Sequence, residues 1–284
     1  MSAEAFDQDG WLRRIGYAGS RAPTLATLQG LIAAHSSAIA YESIDILLDH
    51  PPKLDLLSLQ EKMIARKRGG YCFEQNMLFR GGLRSLGYNV TSLQARVVRG
   101  LEVDAPRPMI HMVLLVHLEE GEFIVDVGYG NLAPTAALKL APQIEQATPH
   151  ETMRYVRMGE ELLLQSKLGD HWEHIYRVVL LPRFDAEYEI CNWYTGTHPQ
   201  SPYLSNLIAA LPGKGGTRLT LFNWRFTVRD ASGKAERRML GGAADFRTVL
   251  ENEFGIVLSE DELARAIANM EQRATRGPSH PFFA

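Results

Sequence analysis

Cysteine is scarce in this chain: Cys72 and Cys191 are the only two among 284 residues. Two are too few for a disulfide framework, which excludes the small stapled folds of secreted domains. No apolar run of about 18 residues or more occurs, so no membrane-spanning helix is expected. Nor does a charged stretch followed by an apolar one open the chain, so no secretory leader is expected. An excess of one charge is missing too. The chain has 30 Lys+Arg against 33 Asp+Glu, and nothing in that balance draws nucleic acid or an anionic membrane. Internal repeats and low-complexity tracts are also absent. These absences leave a soluble chain expected in a reducing cytoplasm, where a free thiol can be kept for chemistry. The length suits one large domain or two to three small ones, with a real core.

The informative stretch is Arg68-Gly69-Gly70-Tyr71-Cys72-Phe73-Glu74-Gln75-Asn76. A double glycine permits backbone conformations that a side chain forbids. From Cys72 to Leu86 the pattern reads as helix, with Gly87 as its stop. A thiol at a helix N-terminus meets unpaired N–H groups and the positive end of the helix dipole, both of which favour a thiolate. The competing reading is a buried cysteine packed as a small hydrophobe.

Up to about residue 88 the chain reads as helical. Phe6 to Tyr17 carries Phe6, Trp11, Leu12 and Ile15 at helical spacing; Thr24 is placed to cap a second helix; Ser58-Leu59-Gln60-Glu61 has the form of a capping box. Gly81-Gly82 inside the cysteine helix costs about 1 kcal/mol per glycine, which implies close approach by another segment. After Gly87 the period changes to that of strands. His111–Leu118 and Phe123–Val127 flank a Glu119–Glu122 turn, and strands over 153–158, 162–166 and 171–180 continue an antiparallel meander, read as a small barrel. Asp185 is placed to cap a helix through Trp193, and Pro212–Gly216 marks a boundary. A hairpin follows (Arg218–Val228, Lys234–Leu240), then two helices, the last opening at Ser259 with Leu263, Ile267 and Met270 facing that hairpin. The expected division is 1–88 helical, 89–184 barrel, 185–212 interdomain helical segment and 213–284 α/β lid.

A thiol nucleophile needs a base, and the base needs a group that orients it. With nine histidines in the chain, a histidine alone signals nothing. His111 stands out because a proline-broken loop feeds it into the mouth of a strand. Asp126 stands out as a carboxylate in an otherwise apolar strand, where burial is costly without a partner. A turn centred on Glu120-Gly121 sets Asp126 opposite Leu115, four residues from His111 and roughly 13 Å away at strand rise. Contact between them requires the turn to move towards Leu118-Glu119, or a bulge. The alternative partner for Asp126 is a basic residue of the helical region.

These residues together resemble the arylamine N-acetyltransferases. Residues 68–76 match that family's signature around its active-site cysteine. Pro108-Met109-Ile110-His111 is similar to its histidine segment, and Val125-Asp126-Val127-Gly128-Tyr129-Gly130 to its aspartate segment. Trp11–Tyr17 resembles its N-terminal helix, and Thr197–Tyr203 its interdomain stretch. Five segments in the right order, from Trp11 to at least Tyr203, make the likeness specific. The chain departs from it at Tyr41 and Tyr203, where tyrosine replaces phenylalanine and makes an acceptor pocket more polar. It also has Ile110 where many members carry threonine, so no hydroxyl contact to coenzyme A is expected there.

The resemblance implies an α+β fold with a cysteine-protease-like triad: a helical bundle carrying Cys72, an antiparallel β-barrel carrying His111 and Asp126, and a C-terminal α/β lid. It implies double displacement: acetyl-coenzyme A acylates Cys72, and an arylamine, arylhydrazine or N-hydroxyarylamine takes the acetyl group. Thiolate–imidazolium pairing would then lower the Cys72 pKa. Tyr41, Tyr71, Tyr129 and Tyr203 are expected to line the acceptor and acyl pocket. Gly128 and Gly130, with Tyr203, are expected at the coenzyme A. Glu42 and Arg68 are expected as a structural ion pair, Cys191 as a structural thiol, and no metal is implied. The chain is expected as a monomer or homodimer. Two rivals share the triad: a hydrolytic cysteine enzyme, and an amide synthase closing a macrocycle from a tethered acyl chain. A third is a non-catalytic protein on the same scaffold.

Overall fold

A computed structural model describes residues 6–274. The first five residues of the expected bundle and the last ten of the expected lid lie outside them. The N-terminal part is built from α1 (Gln8–Arg14), α2 (Leu25–Ala38), a two-residue strand β1 (Tyr41–Glu42), α3 (Ile44–Leu47), α4 (Leu56–Gln60) and α5 (Cys72–Ser85). Thr24 caps α2 by accepting from the Thr27 N–H, as its position predicts. Ser58 is not the cap of α4: Asp55 accepts from the Ser58 N–H and starts that helix three residues earlier. A wide π-helical turn over Glu61–Ala65 then carries the chain towards the glycine turn.

The two glycines inside α5 mark the close approach that their helix cost implied. A Cβ at Gly82 would lie 2.6 Å from the Trp11 ring, and one at Gly81 2.9 Å from Phe6. Trp11 is fully buried and edge-on to Phe79 of α5. Its indole N–H donates to His35 Nδ1, and His35 Nε2 lies 2.8 Å from Gln75 Oε1. Burial pushes the His35 pKa down to about 4, so a neutral ring fastens α1, α2 and α5 together.

Eight antiparallel strands form the second part, curled into a nearly closed barrel. They are β2 (Asn89–Val97), β3 (His111–Leu118), β4 (Gly121–Val125), β5 (Leu138–Lys139), β6 (Gln146–Ala147), β7 (Thr152–Met158), β8 (Glu161–Leu168) and β9 (His171–Val179), in the order 5-4-3-2-9-8-7-6. The β3–β4 turn corrects the register read from the sequence. Leu118 pairs with Gly121 and Leu114 with Val125, so the turn is Glu119-Glu120 and Gly121, at φ +124°, opens the return strand. That shift brings Asp126 two residues nearer to His111, a diagonal same-face neighbour instead of a distant one.

Helix α6 (Asp185–Thr197) leads out of the barrel. Asp185 does not cap it. Its carboxylate takes a bidentate contact from Arg80 of α5, while Glu187 accepts from the Phe184 N–H. The last part contains a five-stranded antiparallel sheet in the order β1, β10 (Ile208–Pro212), β11 (Arg218–Phe222), β12 (Arg225–Arg229) and β13 (Ala235–Met239). The segment read as one strand over 218–228 is two, because Asn223 takes a left-handed φ of 52° and turns the chain. The Pro212–Gly216 run connects β10 to β11 within this sheet. Helices α7 (Ala243–Phe254) and α8 (Glu260–Ala274) cover one face, where Leu263 and Met270 pack with Leu221 and Phe226. Ser259 and Glu262 form the capping box that opens α8. Among the described residues, no helix is long and apolar enough to cross a membrane.

Candidate active site

The glycine turn is tight for a reason other than backbone angle. Neither Gly69 nor Gly70 has a positive φ. A Cβ at Gly69 would lie 2.1 Å from the Ala40 carbonyl oxygen, and one at Gly70 2.8 Å from Glu74. The turn is pressed against β1: the Glu42 N–H donates to the Gly70 carbonyl, and Tyr41 bridges Gly70 in parallel. On its other edge β1 pairs with β10. Residues 41–42 therefore join the cysteine turn to the five-stranded sheet, a link that so short a segment does not announce in sequence.

Cys72 is the first residue of α5. Glu74 accepts from the Tyr71 N–H at 3.0 Å and receives Lys62 at 2.7 Å on its other oxygen. The thiol is buried and donates to the Ile110 carbonyl at 3.9 Å, one residue before His111. Burial pushes the Cys72 pKa up, and the Asp126 charge adds to this, while the backbone N–H groups of Phe73 and Met112 oppose it. This direction is opposite to the lowering that thiolate–imidazolium pairing implied. Desolvation outweighs the helix terminus.

His111 and Asp126 come together: Nε2 of the imidazole lies 2.7 Å from Oδ2 of the carboxylate, both side chains buried. The other carboxylate oxygen accepts from Asn76 Nδ2 at 3.0 Å and from the Gly128 N–H at 2.9 Å. Asn76 also donates to the Met112 carbonyl and accepts from the Val127 N–H. It stands four residues after Cys72, on the same face of α5, and so bolts the cysteine helix to both barrel segments. Asn76 was not singled out from the sequence, although its i+4 spacing from Cys72 was a usable signal. The rings of Tyr129 and Tyr176 pack on His111 at centroid distances of 5.3 and 5.2 Å; Tyr176 carries no such signal.

Three tyrosines surround the sulfur. Tyr41 and Tyr203 share a hydroxyl–hydroxyl hydrogen bond of 2.8 Å, and Tyr203 meets Tyr71 edge-on. The Tyr71 hydroxyl donates to Asn192 of α6. Burial raises the pKa of all three above the ordinary phenol value, and Cys72 contributes to each shift. Gly128 packs against the cysteine turn, where a Cβ would lie 2.8 Å from the Cys72 carbonyl oxygen. Gly130, at φ +84°, faces the Tyr41 ring and lines a cavity of about 160 Å³ between the barrel and the lid sheet. Among the described residues, no group of three or more His, Cys, Asp or Glu side chains is placed to hold a metal ion.

Residues 24–263 match the N-acetyltransferase family model. The arylamine N-acetyltransferase of Escherichia coli is 35% identical over 274 residues, covering 94% of this chain and 97% of that one. The chain belongs to the arylamine N-acetyltransferase family. A Salmonella typhimurium relative, an arylamine N-acetyltransferase / N-hydroxyarylamine O-acetyltransferase, is 33% identical over 90% of this chain and 93% of its own. The structure of the Mycobacterium marinum arylamine N-acetyltransferase in complex with CoA superposes with a TM-score of 0.89 at 35% identity, covering 94% of this chain and 99% of that one.

Within this family member, Glu42 and Arg68 make a buried pair at 2.8 Å that Asp45 extends at 3.0 Å. Cys191 meets the segment before the same strand, donating to the Met109 carbonyl and accepting from Gln94.

Proposed function

We propose that the chain is an acetyl-coenzyme A-dependent N-acetyltransferase acting by double displacement through an acetyl group on Cys72, with His111 as base and Asp126 as orienter. The carrying observation is the 2.7 Å His111–Asp126 contact beside the strand entry that faces the Cys72 sulfur. Asp126 commits Nε2, so Nδ1 is the nitrogen left to exchange a proton with the thiol. In this reading residues 1–88 supply the nucleophile, 89–184 the base and orienter, 185–212 the connection and 213–284 the lid.

Burial makes a lone thiolate at Cys72 costly, so sulfur ionises as its proton passes to His111, and Asp126 balances the imidazolium. The thiolate attacks the carbonyl carbon of acetyl-coenzyme A. The tetrahedral oxyanion needs preorganised donors, and the Cys72 backbone N–H at the helix start is the first of them. The bond to the coenzyme A sulfur breaks, and that sulfur takes the proton from His111. An arylamine, largely unprotonated at neutral pH, then attacks the acetyl carbon, His111 takes its proton, and the Cys72 sulfur leaves and is reprotonated. Arylhydrazines and N-hydroxyarylamines follow the same path, the latter accepting on nitrogen or oxygen.

The test is the intact mass of the protein after acetyl-coenzyme A is added without amine. One acetyl group is expected on the wild type, none on Cys72→Ala, and discharge on adding an arylamine. A wild-type protein that gains no acyl group from acetyl-, propionyl- or malonyl-coenzyme A overturns the proposal.

A further inference from the structure

The acyl transfer proposed above calls for a second hydrogen-bond donor at the tetrahedral oxyanion, beside the Cys72 N–H. The surroundings of Cys72 narrow where that donor can stand. On the barrel side the sulfur meets acceptors: it donates to the Ile110 carbonyl, and the Asp126 charge opposes its ionisation. An oxyanion turned that way would be repelled. The Phe73 and Met112 N–H groups are directed at the sulfur and favour its thiolate, so they serve sulfur and not the acyl oxygen. The other side is phenolic. Of its three hydroxyls, that of Tyr71 is spent on Asn192, which leaves the bonded pair Tyr41 and Tyr203.

Three contacts hold the Tyr41 ring beside Cys72. Its backbone bridges Gly70, two residues before the cysteine. Gly130 packs on the ring, where a Cβ would lie 3.4 Å from Tyr41 Cγ. Gly128, on the same short segment, packs on the cysteine backbone, where a Cβ would lie 3.0 Å from Cys72 Cα. Tyr41 and Cys72 are therefore neighbours across residues 128–130, and the Cys72 charge acts on the Tyr41 hydroxyl.

A phenol has one proton to donate and lone pairs to accept. Two phenols bonded to each other, as here at 2.8 Å, hold two protons, and their bond uses one. When Tyr203 donates, the Tyr41 O–H turns outwards from the pair and is polarised by the bond it accepts. Burial raises the Tyr41 pKa well above the ordinary phenol value, so at neutral pH the group is a donor and not a phenolate. We propose that Tyr41 is a catalytic residue whose hydroxyl, positioned by Tyr203, donates to the oxyanion of both tetrahedral intermediates. The proposal rests on the acetyltransferase reading above. As the Cys72 thiolate adds to the thioester carbon, the C=O electron pair moves onto oxygen, which accepts from the Tyr41 O–H and the Cys72 N–H without taking a proton. When that pair returns, the bond to the coenzyme A sulfur breaks and His111 protonates the leaving sulfur. The amine then adds to the same carbon, the oxygen meets the same donors, and the Cys72 sulfur leaves.

The test is Tyr41→Phe, which keeps the ring and removes the hydroxyl, followed by two reactions of Cys72. Acetylation by acetyl-coenzyme A, read by rapid quench and intact mass, passes through an oxyanion. Alkylation by iodoacetamide displaces iodide at a saturated carbon and forms none. In Tyr41→Phe the acetylation rate at saturating donor should fall about a hundredfold, with the half-saturating concentration unchanged. Discharge by an arylamine should slow as well, and alkylation should keep the wild-type rate. Tyr203→Phe should lose less, and the double variant should be no slower than Tyr41→Phe alone, because the two act as a unit. Acetylation of Tyr41→Phe at the wild-type rate overturns the proposal. So does equal slowing of acetylation and alkylation, which would place the effect on thiol ionisation, and so does slowing of the arylamine step alone, which would make the hydroxyl an acceptor contact. A wild type that iodoacetamide alkylates at Cys72 and acetyl-coenzyme A does not acetylate overturns the acetyltransferase reading itself, a result seen before either tyrosine is changed.

Discussion

Two groups of buried charge flank the cysteine turn, and they are unbalanced in opposite senses. Beneath the turn, Glu42, Asp45 and Glu74 set three carboxylates against two cations, Lys62 and Arg68. At the seam between the barrel and the five-stranded sheet, Glu151 takes Arg218 and Arg229, and Glu173 takes Arg99, three cations on two carboxylates. The first group is closed: its members spend their hydrogen bonds on one another and on the backbone, Glu42 on the Ile44 N–H and Glu74 on the Tyr71 N–H. The second borders a cavity and leaves a buried donor unspent. The two groups differ in closure: the charges of the first are paired with one another, whereas the second leaves one buried guanidinium nitrogen without a hydrogen-bond partner among the described residues.

The sharpest way to break this contrast is to remove one cation from each group. Arg68→Met strands Glu42, which is fully buried, and breaking a buried pair in this way costs about 3–5 kcal/mol. Urea unfolding measures it, and a loss below about 1 kcal/mol would mean the network is not closed. Arg218→Met should cost less, about 1–2 kcal/mol, because Arg229 still holds Glu151 at 2.6 Å. Burial opposes the Arg218 charge and lowers its pKa, so part of what is lost was already a penalty. A loss from Arg218→Met equal to that from Arg68→Met would erase the distinction.

How much of this was legible in the sequence follows the same division. The cysteine turn, the helix it opens and the His111 and Asp126 segments were readable because each carries a local signal: a double glycine, a helical period, a charge in an apolar strand. The register joining His111 to Asp126 was not, since a one-residue shift of the turn, from Glu120-Gly121 to Glu119-Glu120, moves the pairing by two residues and leaves every local pattern intact. Ser58 imitates a cap that Asp55 provides, because both match the same rule and only the backbone entry angle decides between them. The arginine face was hidden as well. Arg225-Phe226-Thr227-Val228-Arg229 has the alternation of an ordinary half-exposed strand, and nothing local tells that its polar side meets the barrel. Asn76 lay within the signature, yet its role appears only when α5 meets two barrel segments that are distant in sequence.

The smallest effect tests whether the acidic surplus under Cys72 resides at Glu74. Burial pushes this carboxyl from its ordinary 4.5 up to about 7, with Lys62 opposing and Asp45 and Glu42 adding to the shift. Between those values the folded protein keeps a proton that the unfolded chain has released. Stability of the wild type therefore falls as pH rises from 4.5 to 7, and levels off above. Glu74→Gln removes that titration, keeps an oxygen to accept from the Tyr71 N–H, and leaves Glu42 and Asp45 balanced by Lys62 and Arg68. The stability difference, variant minus wild type, should rise across this window and reach about 1 kcal/mol by pH 8, after the lost Lys62 contact is set against the relieved charge. Thermal unfolding of both proteins at pH 5, 6, 7 and 8 measures it. A difference that is flat with pH would place the surplus charge on another carboxylate. A difference that falls as pH rises from 5 to 6 would mean that Lys62 holds the Glu74 carboxyl below its ordinary range and that the pair stabilises the turn. The same series carried out on Arg218→Met should show a difference that falls as pH rises, the opposite sign, because burial and then the Arg218 charge lower the His150 pKa and the variant relieves that charge where His150 is protonated.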